Sequence, residues 1–249
     1  MIHMLLLMLA LAGGLAFLVL ALRAFSPQIY DAIILHMTSV WYMRAFDEIA
    51  ATQRDSGGGG APFRLLDVGI GTASALLANK GRIVSQNVHV TGVDYNAAYV
   101  AAARGNIARA GMGARITVHC ASIYEWASPH SEGDGGTLKF DAGYFSGSFS
   151  LMPDPLEALV VVAGHVKRGG HVYITQTFQR KGFPGLSLIK PLTKHVTTID
   201  FGQLYYEAQL EEVLARAEKK GLKVLSNEVI PNSKDNMFQA ARCIVFKVL

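Results

Sequence analysis

The 249-residue chain carries 23 basic and 19 acidic residues for a net charge of +4, and its length suits one ordinary α/β domain with a short extension. A domain of that size buries its core without covalent staples, and the two cysteines, Cys120 and Cys243, lie in β-like apolar runs rather than in a Cys-x-x-Cys pair, which argues against a disulfide framework or a zinc site. No Lys/Arg tract of the kind that follows nucleic-acid phosphates is present.

From Met4 to Leu22 the chain is uncharged and nearly all aliphatic, closed by Arg23. That length matches a hydrocarbon core of about 30 Å, so residues 1–24 are expected to form a single transmembrane anchor. A cleavable signal peptide competes, with Val19-Leu20-Ala21 as a small-residue cleavage site, but Met1-Ile2-His3 lacks the usual basic start. A helix buried in the protein or in a partner is the third alternative. Arg23, Arg44 and Arg54 place the C-terminal side on the cytosolic face, or on the matrix face of a mitochondrial inner membrane; the endoplasmic reticulum and the mitochondrion are not distinguished.

Residues 25–60 read as a helical arm and linker. Apolar residues at helical spacing after Pro27 predict one amphipathic helix to about Arg54, or two with a break near Thr38-Ser39. Ser56 to Pro62, with four consecutive glycines, predicts a flexible connection. Residues 61–249 then alternate short apolar runs with helical patterns, the mark of a parallel sheet wrapped by helices. Strands are expected at Phe63 to Val68, Val88 to Val93, Ile116 to Cys120, Phe140 to Tyr144 and His171 to Thr177, with helices over Ser74 to Gly81, Ala97 to Ala110 and Pro155 to Lys167. Ser128 to Thr137 reads as a surface loop. After an irregular stretch from Gln179 to Gly202 comes a helix from Glu207 to Lys220, then strands Leu222 to Ile230 and Ala240 to Val248. The joint between those two strands is too short for a crossover helix, so they should pair antiparallel.

Asp67-Val68-Gly69-Ile70-Gly71 ends the first strand and opens a helix, a turn that brings bare backbone and helix N–H groups close to a ligand. Glycines alone are equally a tight strand-to-helix turn without a ligand. Asp94 ends the second strand 23 positions after Gly71, where a carboxylate can accept both hydroxyls of a ribose; it is also placed to act as a helix cap. A nicotinamide or flavin fingerprint requires a third glycine where this chain has Ser74.

The Gly69-x-Gly71-x-Ala73 pattern after Asp67 resembles the first motif of class I S-adenosylmethionine-dependent methyltransferases. Val93-Asp94 resembles their ribose motif, Phe140 to Tyr144 their fourth strand, Val166 to Val172 the turn into their fifth, and the terminal strand pair matches as well. Covering roughly Tyr30 to Leu249, the resemblance implies a doubly wound seven-stranded, mostly parallel α/β sheet of order 3-2-1-4-5-7-6 and S-adenosyl-L-methionine as cofactor. It places the methionine end on Asp67, Gly69, Gly71 and Thr72, the ribose on Asp94 with Tyr95 beside it, and the adenine by Ser122 and Ile123. Ser122 stands where the family usually has an acid facing the adenine amino group, so a hydroxyl or a backbone carbonyl must substitute. Ile29-Tyr30-Asp31 resembles the opening of quinone-biosynthetic and phospholipid methyltransferases of the UbiE-like type, which implies that Tyr30 lids the cofactor; a tyrosine on an amphipathic helix is otherwise interfacial or core.

The family places the acceptor on Phe145 to Pro155, a small, apolar, hydroxylated stretch suited to a lipophilic molecule. It lacks the Asn-Pro-Pro-Tyr arrangement of nucleic-acid and glutamine methyltransferases. Ser146 and Ser148 either touch the acceptor region or cap the helix near Pro153, and Ser146 is also counted among the cofactor-binding residues. Among bases, His165 and His171 read as structural, His195 is the weak catalytic candidate, and Tyr205 and Tyr206 are similar in weakness. The expectation is a membrane-anchored methyltransferase acting on a hydrophobic, lipid or quinone-like small molecule, with no metal and no nucleic acid. The alternative is a methyltransferase-like, non-catalytic assembly subunit in a membrane complex.

Overall fold

Adjacent residues of a strand point to opposite faces, and here both kinds are apolar, as a sheet covered on both sides requires. The computed structural model describes residues 2–55, 60–128, 138–182 and 205–249, with side chains described from 13–25 and from 35 onward in the first two helices. In chain order the elements are α1 (Ile2–Ala24), α2 (Ser26–Asp55), β1 (Phe63–Val68), α3 (Ser74–Leu77), α4 (Lys80–Ser85), β2 (Val88–Asp94), α5 (Ala97–Arg109), β3 (Ile116–Cys120), β4 (Phe140–Ser146), a 3-10 turn (Phe149–Leu151), α6 (Pro155–His165), β5 (Val166–Gln179), α7 (Glu207–Glu218), β6 (Leu222–Val229) and β7 (Gln239–Val248). One seven-stranded sheet has the order β3-β2-β1-β4-β5-β7-β6. β7 runs antiparallel to β6, as the short final joint predicted, and also to β5, while the pairings among β1, β2, β3, β4 and β5 are parallel.

The alternation divides the core. Leu65 and Tyr144 face Trp41, Tyr42, Phe46 and Ile49 of α2 together with α3 and α5; Leu66 and Phe145 face Leu159 and Val162 of α6 and Leu210 of α7. The arm is therefore part of the core, because α2 supplies four of its large buried side chains.

Several boundaries differ from expectation, each for a local reason. α2 is unbroken, since the Thr38 and Ser39 hydroxyls donate back to Leu35 O and His36 O and so need no break in the helix. The helix expected over Ser74 to Gly81 is two short ones, because the Asn79 side chain donates to Ala75 O and to Ser39 O of α2 at the joint. α6 stops at His165 rather than Lys167, and Val166 already pairs with Phe140; the chain then bulges through Gly169 before His171 meets Ala142. The N-cap of α6 is Asp154, whose carboxylate accepts the Glu157 N–H at 2.9 Å, so neither Ser146 nor Ser148 caps it.

α1 exposes Leu15, Phe17, Leu18 and Leu20, with Phe17 at 75%. Among the described residues no helix is long and apolar enough to cross a membrane. The Met4 to Leu22 segment expected to do so enters the described side chains only from Gly13. Most of the glycine linker, nearly all of the loop at Ser128 to Thr137, and most of the irregular stretch from Gln179 to Gly202, with His195 in it, lie outside the described residues, as does the side chain of Tyr30.

Candidate functional site

The parallel strands β1 and β2 end side by side, and their C-terminal ends open a crevice of the kind that open α/β sheets use for ligands. Its walls enclose a cavity of about 410 Å³, with Gly69 and Gly71 from the turn after β1, Asp94, Tyr95 and Asn96 from the end of β2, Ser122 and Ile123 after β3, and Leu151 to Pro153 after β4. The volume falls within the roughly 300–1,000 Å³ typical of small-molecule sites.

The turn after β1 is built on positive φ. Gly69, Gly71 and Ala73 have φ of 74°, 60° and 59°, so the three positions of the Gly-x-Gly-x-Ala pattern are the three left-handed ones, and Ala73 carries a methyl group there. Gly69 is also sterically required: a Cβ on it would meet Ser148 Cβ at 2.5 Å. A Cβ on Gly71 would have no protein atom within 4 Å.

Asp94 braces that turn as well as lining the cleft. One carboxylate oxygen accepts the Gly71 N–H at 2.9 Å and the other the Asn96 N–H at 2.8 Å. The helix cap is not Asp94 but Asn96, which accepts from Ala98 and Tyr99. Each Asp94 oxygen keeps a second lone pair, enough to accept a vicinal diol from the cleft. Burial pushes the Asp94 carboxyl up, while the Asn96 and Gly71 bonds hold it down.

At the opposite wall the Ser122 carbonyl already accepts the Glu125 and Trp126 N–H groups, which leaves the Ser122 hydroxyl and the Ile123 backbone as polar atoms for a planar ring. Tyr95 is exposed and lines the cleft next to Asp94. Tyr99 and Tyr124, which the sequence did not single out, also line the cleft. Their only sequence signal is position: Tyr99 falls in the first turn after Asp94, and Tyr124 two residues beyond Ser122.

Three expected site residues lie behind the turn rather than in the cleft. Asp67 is 0% exposed, and its Oδ2 accepts the Tyr42 hydroxyl at 2.6 Å. Thr72 donates to Ser74 Oγ, and Thr72, Ser146, Leu35, Thr38 and Tyr42 surround a pocket of about 20 Å³, room for about one water. Ser146 Oγ and Asp67 Oδ1 are buried without a hydrogen-bond partner among the described residues. Tyr42 had no sequence signal beyond being an aromatic on an amphipathic helix.

Burial raises the Asp67 carboxyl to about 7; the Tyr42 hydrogen bond opposes the rise and the neighbouring Asp94 charge adds to it. An unfolded carboxyl titrates near 3.8, so between that pH and about 7 the folded state holds a proton that the unfolded state has released. Stability from this group is therefore full at low pH, falls as pH climbs from about 4 to about 7, and is level above. Asp67→Asn removes that slope while keeping an acceptor for Tyr42. The melting temperature of the variant is expected to gain on the parent between about pH 5 and about pH 7.5, and a constant difference would contradict the assignment.

The base candidates separate clearly. His165 Nδ1 is 2.8 Å from Ser128 Oγ, and His171 pairs with Ala142 and borders a second cavity with Phe63, the first residue of β1; neither lines the cleft. That second cavity, about 680 Å³, opens at the N-terminal ends of the strands, away from the Gly69 turn. Tyr205 packs edge-on between Phe149 and Phe178, and Tyr206 precedes α7. Among the described residues no group of His, Cys, Asp and Glu could hold a metal ion.

Residues 65–170 match the family model described as a methyltransferase domain. No curated protein sequence matches. Among solved structures, an S-adenosylmethionine-dependent methyltransferase from Aquifex aeolicus superposes with a TM-score of 0.60 at 14% identity, covering 91% of this chain and 98% of that one. A putative sarcosine dimethylglycine methyltransferase from Galdieria sulphuraria gives 0.58 at 15%, covering 82% and 85%. The [4+2]-cyclase SpnF gives 0.58 at 17%, covering 82% and 80%.

Proposed function

We propose that this chain, which carries a methyltransferase domain of the class I S-adenosylmethionine-dependent fold, transfers a methyl group from S-adenosylmethionine to a small lipophilic acceptor at a membrane. The observation that carries the cofactor reading is the Asp94 carboxylate, which faces the cleft while it ties down Gly71. Asp94 would hold the ribose, the Gly69–Gly71 turn the part of the cofactor nearest the sulfonium, and Ser122 with Ile123 the adenine. When bound, S-adenosylmethionine supplies a methyl group on a positively charged sulfur, ready for in-line displacement. What the chain contributes is alignment and exclusion of water, the larger part of such a reaction's barrier lowering.

The acceptor reading rests on the same wall. Ser148, Leu151, Met152 and Pro153 follow β4 and line the cleft, so this part of its wall is uncharged. A neutral, apolar acceptor would lose little on leaving lipid for it. The uncharged run Met4 to Leu22 and the exposed aliphatic residues of α1 favour a tether, which raises the local concentration of enzyme at a bilayer-dissolved acceptor. No catalytic base is assigned: His195, the weak candidate, lies outside the described residues. The fold alone does not dictate transfer, since SpnF is a cyclase.

Full-length protein in vesicles made from a total lipid extract, supplied with S-adenosylmethionine tritiated on the methyl group, is expected to move label into the organic phase. Cofactor binding without any transferred label would instead favour a non-catalytic assembly subunit.

A further inference from the structure

α2 reports which end of the domain α1 belongs to. Tyr42 bonds Asp67 at the C-terminal end of β1, whereas Thr52 bonds Tyr173 and Gln53 bonds Gln86 O, just before β2 begins. The helix therefore descends from the cleft rim to the opposite rim, antiparallel to β1 and β2. Leu35 borders the Gly69 pocket, and Ser26, where α2 begins, is nine residues earlier in the same unbroken helix. At about 1.5 Å per residue the root of α1 stands roughly 14 Å beyond the cleft rim, on the cleft side.

A second apolar feature occupies that rim. Gln239 pairs with Gln179, the last residue of β5, so the β6–β7 loop also lies at the C-terminal ends of the parallel strands. The loop is held in place: Trp41 Nε1 donates to Ser233 Oγ at 2.9 Å, and Arg180 donates to Asp235 Oδ1 at 2.8 Å and to Asn236 O at 2.7 Å. Thus secured, it presents Met237 at 63% and Phe238 at 42% exposure, with Lys181 and Lys234 exposed beside them. Ordered apolar side chains at a loop tip, flanked by lysines, suit the boundary between acyl chains and anionic headgroups.

We propose that the rim carrying the cleft docks on an anionic lipid bilayer, with Met237 and Phe238 facing the interface on the same side of the domain as the root of α1 and Lys181 and Lys234 against the headgroups. This rests on the membrane-tether reading and adds an orientation to it. The cleft opens toward the lipid, and an acceptor enters it without crossing bulk water.

The test uses full-length protein in vesicles of phosphatidylcholine and phosphatidylserine. Cys120 is the exposed native thiol and Cys243 is buried, so Cys120→Ser gives a background for single labels. An environment-sensitive fluorophore is placed at Met237→Cys or, on the opposite rim, at Ser85→Cys. The label at position 237 is expected to shift to the blue and to be quenched severalfold more than that at 85 by lipids bearing a nitroxide on the acyl chain. Equal quenching at both positions in protein that floats with the vesicles overturns the orientation and leaves the tether standing. Protein that does not float overturns both. With the label at position 237, a Lys181→Glu, Lys234→Glu variant should still float through α1 but lose the increase in quenching that phosphatidylserine gives the parent, whereas an unchanged increase would contradict the headgroup contact.

Discussion

Exchanging Asp94 for alanine is expected to weaken binding of S-adenosylhomocysteine by at least about a hundredfold. Hydrogen bonds to a charged acceptor are each worth roughly 1.5–3 kcal/mol, and two ribose hydroxyls would lose theirs together, with tenfold in affinity for each 1.4 kcal/mol. The same change removes the acceptors for the Gly71 and Asn96 N–H groups, so the turn itself loosens. Asp94→Asn separates the two effects, because the amide oxygen still accepts one N–H while the charge is gone. Its loss should be intermediate. Calorimetry that finds alanine within threefold of the parent, in protein whose melting is still cooperative, would remove Asp94 from the cofactor site.

The second large effect is on stability and comes from Gly69. An alanine there takes a left-handed conformation that costs roughly 1–2 kcal/mol, and its Cβ would sit 2.5 Å from Ser148 Cβ. Overpacking of this kind adds roughly 1–3 kcal/mol. Gly69→Ala should therefore lower the urea midpoint strongly, and a second change, Ser148→Gly, should recover part of the loss by clearing the contact. Gly71→Ala is the contrast: with nothing within 4 Å of its Cβ it pays only the backbone strain, and it should harm cofactor binding more than folding. Equal destabilisation by both glycine variants would mean that the Ser148 contact does not matter.

Much of the fold could be read from the chain because its signals are local. Strands such as Phe63–Val68 and Ile116–Cys120 are short apolar runs bounded by turns, and the short connection after β6 leaves no room for a parallel crossover. The helix ends were less legible where a side chain from elsewhere decides them: the break before Lys80 depends on Asn79 reaching the Ser39 carbonyl, which no spacing reveals. The cleft followed the same division. Gly69, Gly71 and Asp94 sit at strand ends whose positions the pattern fixes, and they share the cavity wall. Asp67 and Thr72 belong to the same motif, but Asp67 is buried against the Tyr42 hydroxyl of α2 and Thr72 borders a small pocket under that helix, both away from the cleft. That cover was illegible because a Gly-rich connection read as detaching α2 from the domain, whereas Trp41, Tyr42, Phe46 and Ile49 pack into it. A [4+2]-cyclase shares a similar fold, so fold alone does not name the reaction, and the acceptor wall has to say which.

A cleft lined by Gly71, Asp94 and Ser122 that holds S-adenosylmethionine must also bind its product, S-adenosylhomocysteine. Calorimetric titration of the protein with S-adenosylhomocysteine reads that binding. One site per chain, with affinity in the micromolar range, is the predicted result; no heat of binding at millimolar ligand would contradict it.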